Sequence, residues 1–209
     1  MLITNHKFLA KYPIDRTATK LLLGTIHPHF HEHFEMQFFY GNELTLWKIF
    51  QKAFPDDLKH PGNVNCVLSF LKNKKLAVSD TILQCERINP TALDKDLKIK
   101  KYNDFDLLET IENSNIQEIL CTSGFGKNNA FKIFYNEILK LPLSKKIRDS
   151  REATIEFKNS KKQVKIKALY SPSRRANMGI GGSKGYKAVK NQMTVDQYRI
   201  NLYKAAISE

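Results

Sequence analysis

Short apolar runs alternate with amphipathic helical stretches along nearly the whole chain, and this alternation limits its fold more than any other feature. "TKLLLGT" (19–25) is a brief apolar run ending in Gly and reads as a buried strand. "LTLWKIFQKAF" (44–54) has apolar residues at helical spacing and stops before Pro55, and "VNCVLSFLKNK" (64–74) is a second amphipathic helix. "LAVSDTIL" (76–83) reads as a strand, "DFDLLETIEN" (104–113) as an Asp-capped helix, and "IQEILCTSG" (116–124) as a strand ending in Gly. "NNAFKIFYNEILKL" (128–141) is helical. "ATIEFKNSKKQVKIKALYSPS" (153–173) reads as a hairpin whose second arm is central, and "TVDQYRINLYKAAI" (194–207) as a closing helix. Strands separated by helices pair in parallel, so the expected class is an α/β sandwich.

In such sheets ligands sit beyond the carboxyl ends of the strands. Four strand ends should therefore meet: Gly24 to His29, Asp80 to Ile82, Ser123 to Gly126, and Ser171 to Asn177. The two most unusual loops of the chain, "HPHFHEH" and "SPSRRANMGIGGSKGYK", would face each other across one cleft.

The 209 residues suit one domain, residues 1–209, and 42% hydrophobic residues mark a globular chain. No stretch approaches the roughly 18 apolar residues of a membrane span. The first residues lack the apolar core of a signal peptide, so a cytoplasmic location is expected. Cys66, Cys85 and Cys121 are scattered without a CxxC pair, which argues against a disulfide framework, a zinc knuckle or an iron–sulfur cluster. Each reads as a small buried hydrophobe.

Charge narrows the choice of partner. The net charge is +13, and residues 144–190 carry 14 Lys and Arg against Asp149, Glu152 and Glu156, a net of +11. A basic surface concentrated in one segment suits a polyanion, nucleic acid above all; a solvated face without a partner is the plainer alternative.

With the loops in place, the chain resembles the uracil-DNA glycosylase superfamily, most nearly its hypoxanthine-DNA glycosylase-like and mismatch-specific branches. "LLLGTIHPH" resembles the first motif, an apolar strand followed by Gly, a polar residue and Pro. "FFYGNELTLWKIF" resembles the tyrosine-glycine stretch and the tryptophan of the next helix. "LAVSDTILQCER" resembles the strand that brings a polar residue to the base edge, and "IQEILCTSG" the third strand. "LYSPSRRAN" resembles the last motif, a Ser-Pro-Ser turn followed by a loop that wedges into the duplex. The resemblance implies a three-layer α/β/α sandwich around a short, mainly parallel four-stranded sheet. It implies a monomeric, metal-free, cofactor-free monofunctional DNA glycosylase, acting on a hypoxanthine- or uracil-type base in DNA.

The residues make chemical sense in those terms. A base inside a duplex must be extruded into a pocket before it can be cut. Phe38, Phe39 or Tyr40 offers a flat wall for its face, and Asp80 a polar group for its edge. Ser171, Ser173 and the stretch Gly179 to Gly185 suit phosphates. Arg174 and Arg175 occupy the wedge, and Asn177, Lys184 and Lys187 extend the DNA-binding set. His27 stands where the mismatch-specific branch has Asn, and Leu44 where the hypoxanthine branch has Asn; Asn42 is the nearby amide. The expected division of labour is Asn42 holding the water and His27 serving as weak base or leaving-base donor. Three readings of His27, His29, His31 and His33 stay open. They are a metal site completed by Glu32 or Glu35, contact with DNA or substrate, and an inert polar loop. The functional alternatives are a non-catalytic DNA-binding protein on the same fold and a His-dependent metal hydrolase.

Overall fold

The computed structural model describes residues 2–88 and 96–208. Its central sheet contains β2 (Lys20–Gly24), β3 (Leu76–Asp80), β6 (Glu118–Cys121), β7 (Glu152–Glu156) and β8 (Gln163–Ala168), in the order β3-β2-β6-β8-β7. Every neighbour pairing is parallel except β7 with β8. The sheet thus has five strands where four were expected. Four form the expected parallel core; the fifth, β7, is the outer arm of the hairpin, added antiparallel at the edge.

Leu21, Leu22, Leu23, Leu120 and Ile119 are all buried, because both faces of the sheet are covered. Alternate side chains feed two cores. Leu22, Val78 and Leu120 join Trp47, Phe50, Phe70 and Tyr203 from α1 (Thr45–Ala53), α2 (Val64–Asn73) and α8 (Val195–Ser208). Leu21, Leu23, Ile119, Cys121 and Ile166 join Leu107 and Ile111 from α3 (Phe105–Glu112). The same core takes Phe131 from α4 (Ala130–Lys132) and Phe134 from the π-helical turn Ile133–Ile138 that continues it. Each fully buried aliphatic or aromatic side chain contributes roughly 1.5–3 kcal/mol relative to exposure, so the two clusters fix the layers.

The stretch 76–83, expected as one strand, divides at Thr81. Its first part is β3; its second begins β4 (Ile82–Arg87), which belongs to another sheet. That sheet is antiparallel, β1-β4-β5, with β1 (Leu2–Asn5) and β5 (Leu97–Tyr102) flanking β4. Thr81 fixes the break: its backbone N–H and hydroxyl both donate to the Gly24 carbonyl at 3.0 Å, and its own carbonyl accepts from Asn103 N–H. The glycine-rich stretch after Ser173 is not open loop. It forms a 3-10 turn, Arg174–Ala176, then the short helices α6 (Asn177–Gly181) and α7 (Lys184–Val189). Among the described residues no helix is long and apolar enough to cross a membrane.

Candidate active site

The ends of β2, β3 and β6 and the chain after β8 open into a cleft of about 370 Å³. Its lining includes His27, Tyr40, Asn42, Asp80, Thr122 and the segment Ser171–Arg175. Most of the expected site residues are therefore brought together across one opening.

Two glycines make the close packing possible. A β-carbon on Gly24 would lie 2.2 Å from both Asp80 Oδ1 and Tyr40 Oη, so only glycine lets those two groups meet over the end of β2. A β-carbon on Gly41 would lie 1.8 Å from the Met36 carbonyl oxygen, inside a turn closed by the Met36 N–H donating to the Gly41 carbonyl. That turn presents Tyr40, in the left-handed region at φ 56°, with its hydroxyl 2.7 Å from the Thr122 hydroxyl.

Asp80 is buried and fixed from behind by His6, a residue the sequence reading missed. His6 Nδ1 accepts the backbone N–H of Phe8 and of Leu9, so Nε2 carries the proton and donates to Asp80 Oδ2 at 2.9 Å. Asn103 Nδ2 donates to the Asp80 carbonyl oxygen. The carboxylate thus has one oxygen anchored by His6, while the other lies over Gly24 beside Tyr40.

His27 lines the same cleft but has both ring nitrogens engaged. Nδ1 donates to the Pro28 carbonyl at 2.6 Å, and Nε2 accepts the Lys7 N–H at 3.0 Å. Burial is the main influence on its pKa, outweighing the Pro28 bond, and lowers it to about 4. At neutral pH the ring is uncharged and serves as a strut between the first residues of the chain and the loop after β2. The expected role of weak base or proton donor has no ring nitrogen left to perform it in this arrangement.

The other histidines diverge. His31 stacks on His27 with ring centroids 5.5 Å apart, His29 Nδ1 pairs with the Thr4 hydroxyl at 3.0 Å, and His33 is exposed. Among the described residues no group of three or more His, Cys, Asp or Glu is placed to hold a metal ion.

Phe38 and Phe39, expected against the base, belong to the core instead. Phe38 packs on Tyr12 and Trp47, and Phe39 on Phe8 and His6. The Phe39 carbonyl also accepts the buried Trp47 indole N–H at 2.7 Å, which turns this segment inward. Tyr40 is the aromatic that reaches the cleft.

The far wall is the Ser-Pro-Ser turn. Ser171 Oγ accepts the Ser173 N–H, and Ser173 Oγ accepts the Arg175 N–H. Helix α8 holds the turn in place: Arg199 donates to the Pro172 carbonyl and to the Asn177 side-chain oxygen, and Tyr203 Oη donates to the Tyr170 carbonyl at 2.8 Å. Asn177 is thereby a strut rather than a cleft residue. Arg174 and Arg175 are exposed at the rim. Lys184 lines a different cleft, and Lys187 is exposed on α7.

No family model and no curated protein matches this sequence. A solution NMR structure of a protein from Methanosarcina acetivorans, provisionally named a uracil DNA glycosylase, matches over 100% of both chains with a TM-score of 0.53 and 12% identity, and at that identity what the two chains share is a fold.

Proposed function

We propose that this protein is a monofunctional DNA glycosylase that hydrolyses the N-glycosidic bond of a flipped deaminated or modified base. One observation carries the proposal: Asp80, Tyr40 and Asn42 converge with an arginine-bearing Ser-Pro-Ser turn in a single cleft at the carboxyl edge of a parallel sheet. At about 370 Å³ the cleft falls in the usual range for small-molecule sites. The name given to the Methanosarcina protein and the colinear motifs support the same chemistry.

In this reading each cleft residue takes one role. Asp80 accepts an N–H from the base edge through Oδ1 while His6 holds Oδ2. Asn42 orients the water. Water oxygen bonds to the sugar C1′, the C1′–N bond breaks with its electron pair going to the base, and the water's proton ends on the released base. Positive charge builds on the sugar as the bond stretches. An uncharged His27 does not oppose that charge. In this reading Ser171 and Ser173, which line the cleft, contact phosphate, and the exposed Arg174 and Arg175 fill the gap left by the base.

The test is incubation with duplex and single-stranded oligonucleotides carrying uracil, hypoxanthine, xanthine or methylated cytosine, followed by alkali. Strand breaks at the modified base are expected. Tight DNA binding with no break on any substrate would leave the non-catalytic reading in its place.

Asp80 also sets a preference. An ionised carboxylate accepts hydrogen bonds and donates none, so it suits hypoxanthine N1–H. Uracil N3–H is flanked by two carbonyls that face the same charge. Hypoxanthine should therefore be cut faster than uracil. Asp80→Asn, which offers a donor as well, should narrow or reverse the ratio by an amount on the order of 1–3 kcal/mol. Single-turnover rates on matched duplexes measure it. An unchanged ratio in a folded variant would remove Asp80 from base reading.

A further inference from the structure

A second cleft, larger than the first at about 700 Å³, lies between α5 (Lys145–Ser150), the adjoining ends of β7 and β8, α7 and α8. None of its lining residues lines the candidate active site, yet the two are joined through the chain: Tyr170 belongs to the second and Ser171 to the first.

Its charge is positive. Lys145, Arg148, Arg151, Lys167 and Lys184 face Asp149 and Glu152. Glu152 is already engaged by Lys165 and Lys167. Lys145 and Lys184 stand exposed in its lining, one on α5 and one on α7. Tyr170 and Tyr198 supply its aromatic surface. Arg151 lies 4.1 Å over the Tyr170 ring and donates through Nε and Nη2 to the Ala168 and Leu169 carbonyls, both at 2.9 Å. Tyr198 packs its hydroxyl over Gly185, where a β-carbon would lie 2.3 Å away. Cations on two elements beside a half-buried tyrosine suit an unpaired nucleotide strand: the lysines neutralise phosphates and a base rests on Tyr198, one face of Tyr170 being taken by Arg151, without sequence preference. At about 700 Å³ the cleft lies within the usual range of ligand sites.

We propose that this second cleft holds the unpaired continuation of the strand whose base enters the first. The inference rests on reading the first cleft as a nucleic-acid site. It makes the glycine-rich stretch Gly179–Gly185 a support for α7, which carries Lys184 toward the strand, rather than a phosphate cradle.

Fluorescence anisotropy with undamaged oligothymidylates of three and twelve nucleotides tests it. The wild type should prefer the longer strand by about 100-fold or more, well beyond the roughly tenfold that overlapping registers supply, and Lys145→Ala with Lys184→Ala should remove most of the excess. The same pair should lower the salt slope by about 1.4, the equivalent of two phosphates on a single strand. Tyr198→Ala should weaken the twelve-mer about tenfold with little change in the slope, since it removes stacking and not charge. Lys52→Ala with Lys59→Ala deletes the same charge from exposed positions outside both clefts and should change neither length preference nor slope. All four lysines are exposed, so the variants should remain folded, and a thermal melt checks that. Equal losses from the two lysine pairs would overturn the proposal, since charge alone would then explain binding. So would thymidine monophosphate binding as tightly as the twelve-mer, which would make the cleft a mononucleotide site. Undamaged strands are bound without excision, so a protein that cuts nothing can still uphold this cleft, and one that cuts bases can still fail this test.

Discussion

At Gly24 a single methyl group would strike two functional atoms at once. Asp80 is tied back by His6 and Tyr40 by Thr122, so neither can withdraw freely. Gly24→Ala should therefore cost about 1–3 kcal/mol of stability and, by displacing both groups from the cleft, about 100-fold in single-turnover excision. An excision rate within twofold of wild type would show that this close approach does not matter. His27 makes a different demand. Its folded-state pKa, about 4, lies below its ordinary 6.5. Between those values the unfolded chain takes up a proton that the folded chain refuses. Stability from this group is complete above pH 6.5 and declines as pH falls toward 4, by at most about 3 kcal/mol. Urea unfolding at pH 7, 6, 5 and 4.5 should show a steeper acid loss in the wild type than in His27→Gln, whose side chain does not titrate. Parallel curves would mean that the ring holds its proton equally well in the folded and unfolded chain.

At the scale of elements, the parts legible in the sequence are those whose signal is local. β2, β3, β6 and β8 carry short apolar runs or clean alternation; Gly marks where β2 and β6 stop and Ser-Pro-Ser where β8 does, whereas no turn residue marks the end of β3 at Asp80. β1 and β5 gave no such signal. β1 is "LITN", with one buried residue, and β5 is "LKIKKY", buried only at Leu97; both are edges of a small sheet whose central strand is β4. Missing β1 meant missing His6, which follows it directly and meets an aspartate 74 positions away. No motif surrounds His6, so only the fold reveals the pair. The same limit applies to α8, recognised as a helix but not as the clamp on Pro172, Tyr170 and Asn177. That clamp presents Arg174 and Arg175 on a braced 3-10 turn rather than a free loop. A wedge is needed only where a flipped base leaves a gap in a duplex. Arg174→Ala with Arg175→Ala should thus reduce excision about tenfold more on duplex than on single strands. Equal losses would mean that the two arginines only neutralise phosphate.

Across the whole molecule, the excess charge of residues 144–190 is smaller in effect than its count. Lys161 pairs with Glu156, and Lys165 and Lys167 share Glu152. Lys162 directs its ammonium to the Ile111 and Ser114 carbonyls at 2.6 Å, and Arg151 is spent on Ala168 and Leu169. The remaining cations of the segment, from Lys145 on α5 to Lys190 after α7, are exposed. Arg174 and Arg175 border the first cleft, and Lys145, Arg148 and Lys184 the second. A polyanion drawn to these cations would release counterions at several contacts together. Affinity for duplex DNA should then fall by about 100-fold or more between roughly 50 and 200 mM salt. Replacing Arg174 and Lys184 by Ala should flatten that dependence far more than replacing Lys161 and Lys165, which pair with Glu156 and Glu152. An anisotropy titration across salt concentrations measures both slopes. A flat profile for the wild type would exclude DNA as the partner. Equal flattening by the two sets would show that net charge, and not its placement around the clefts, governs the encounter.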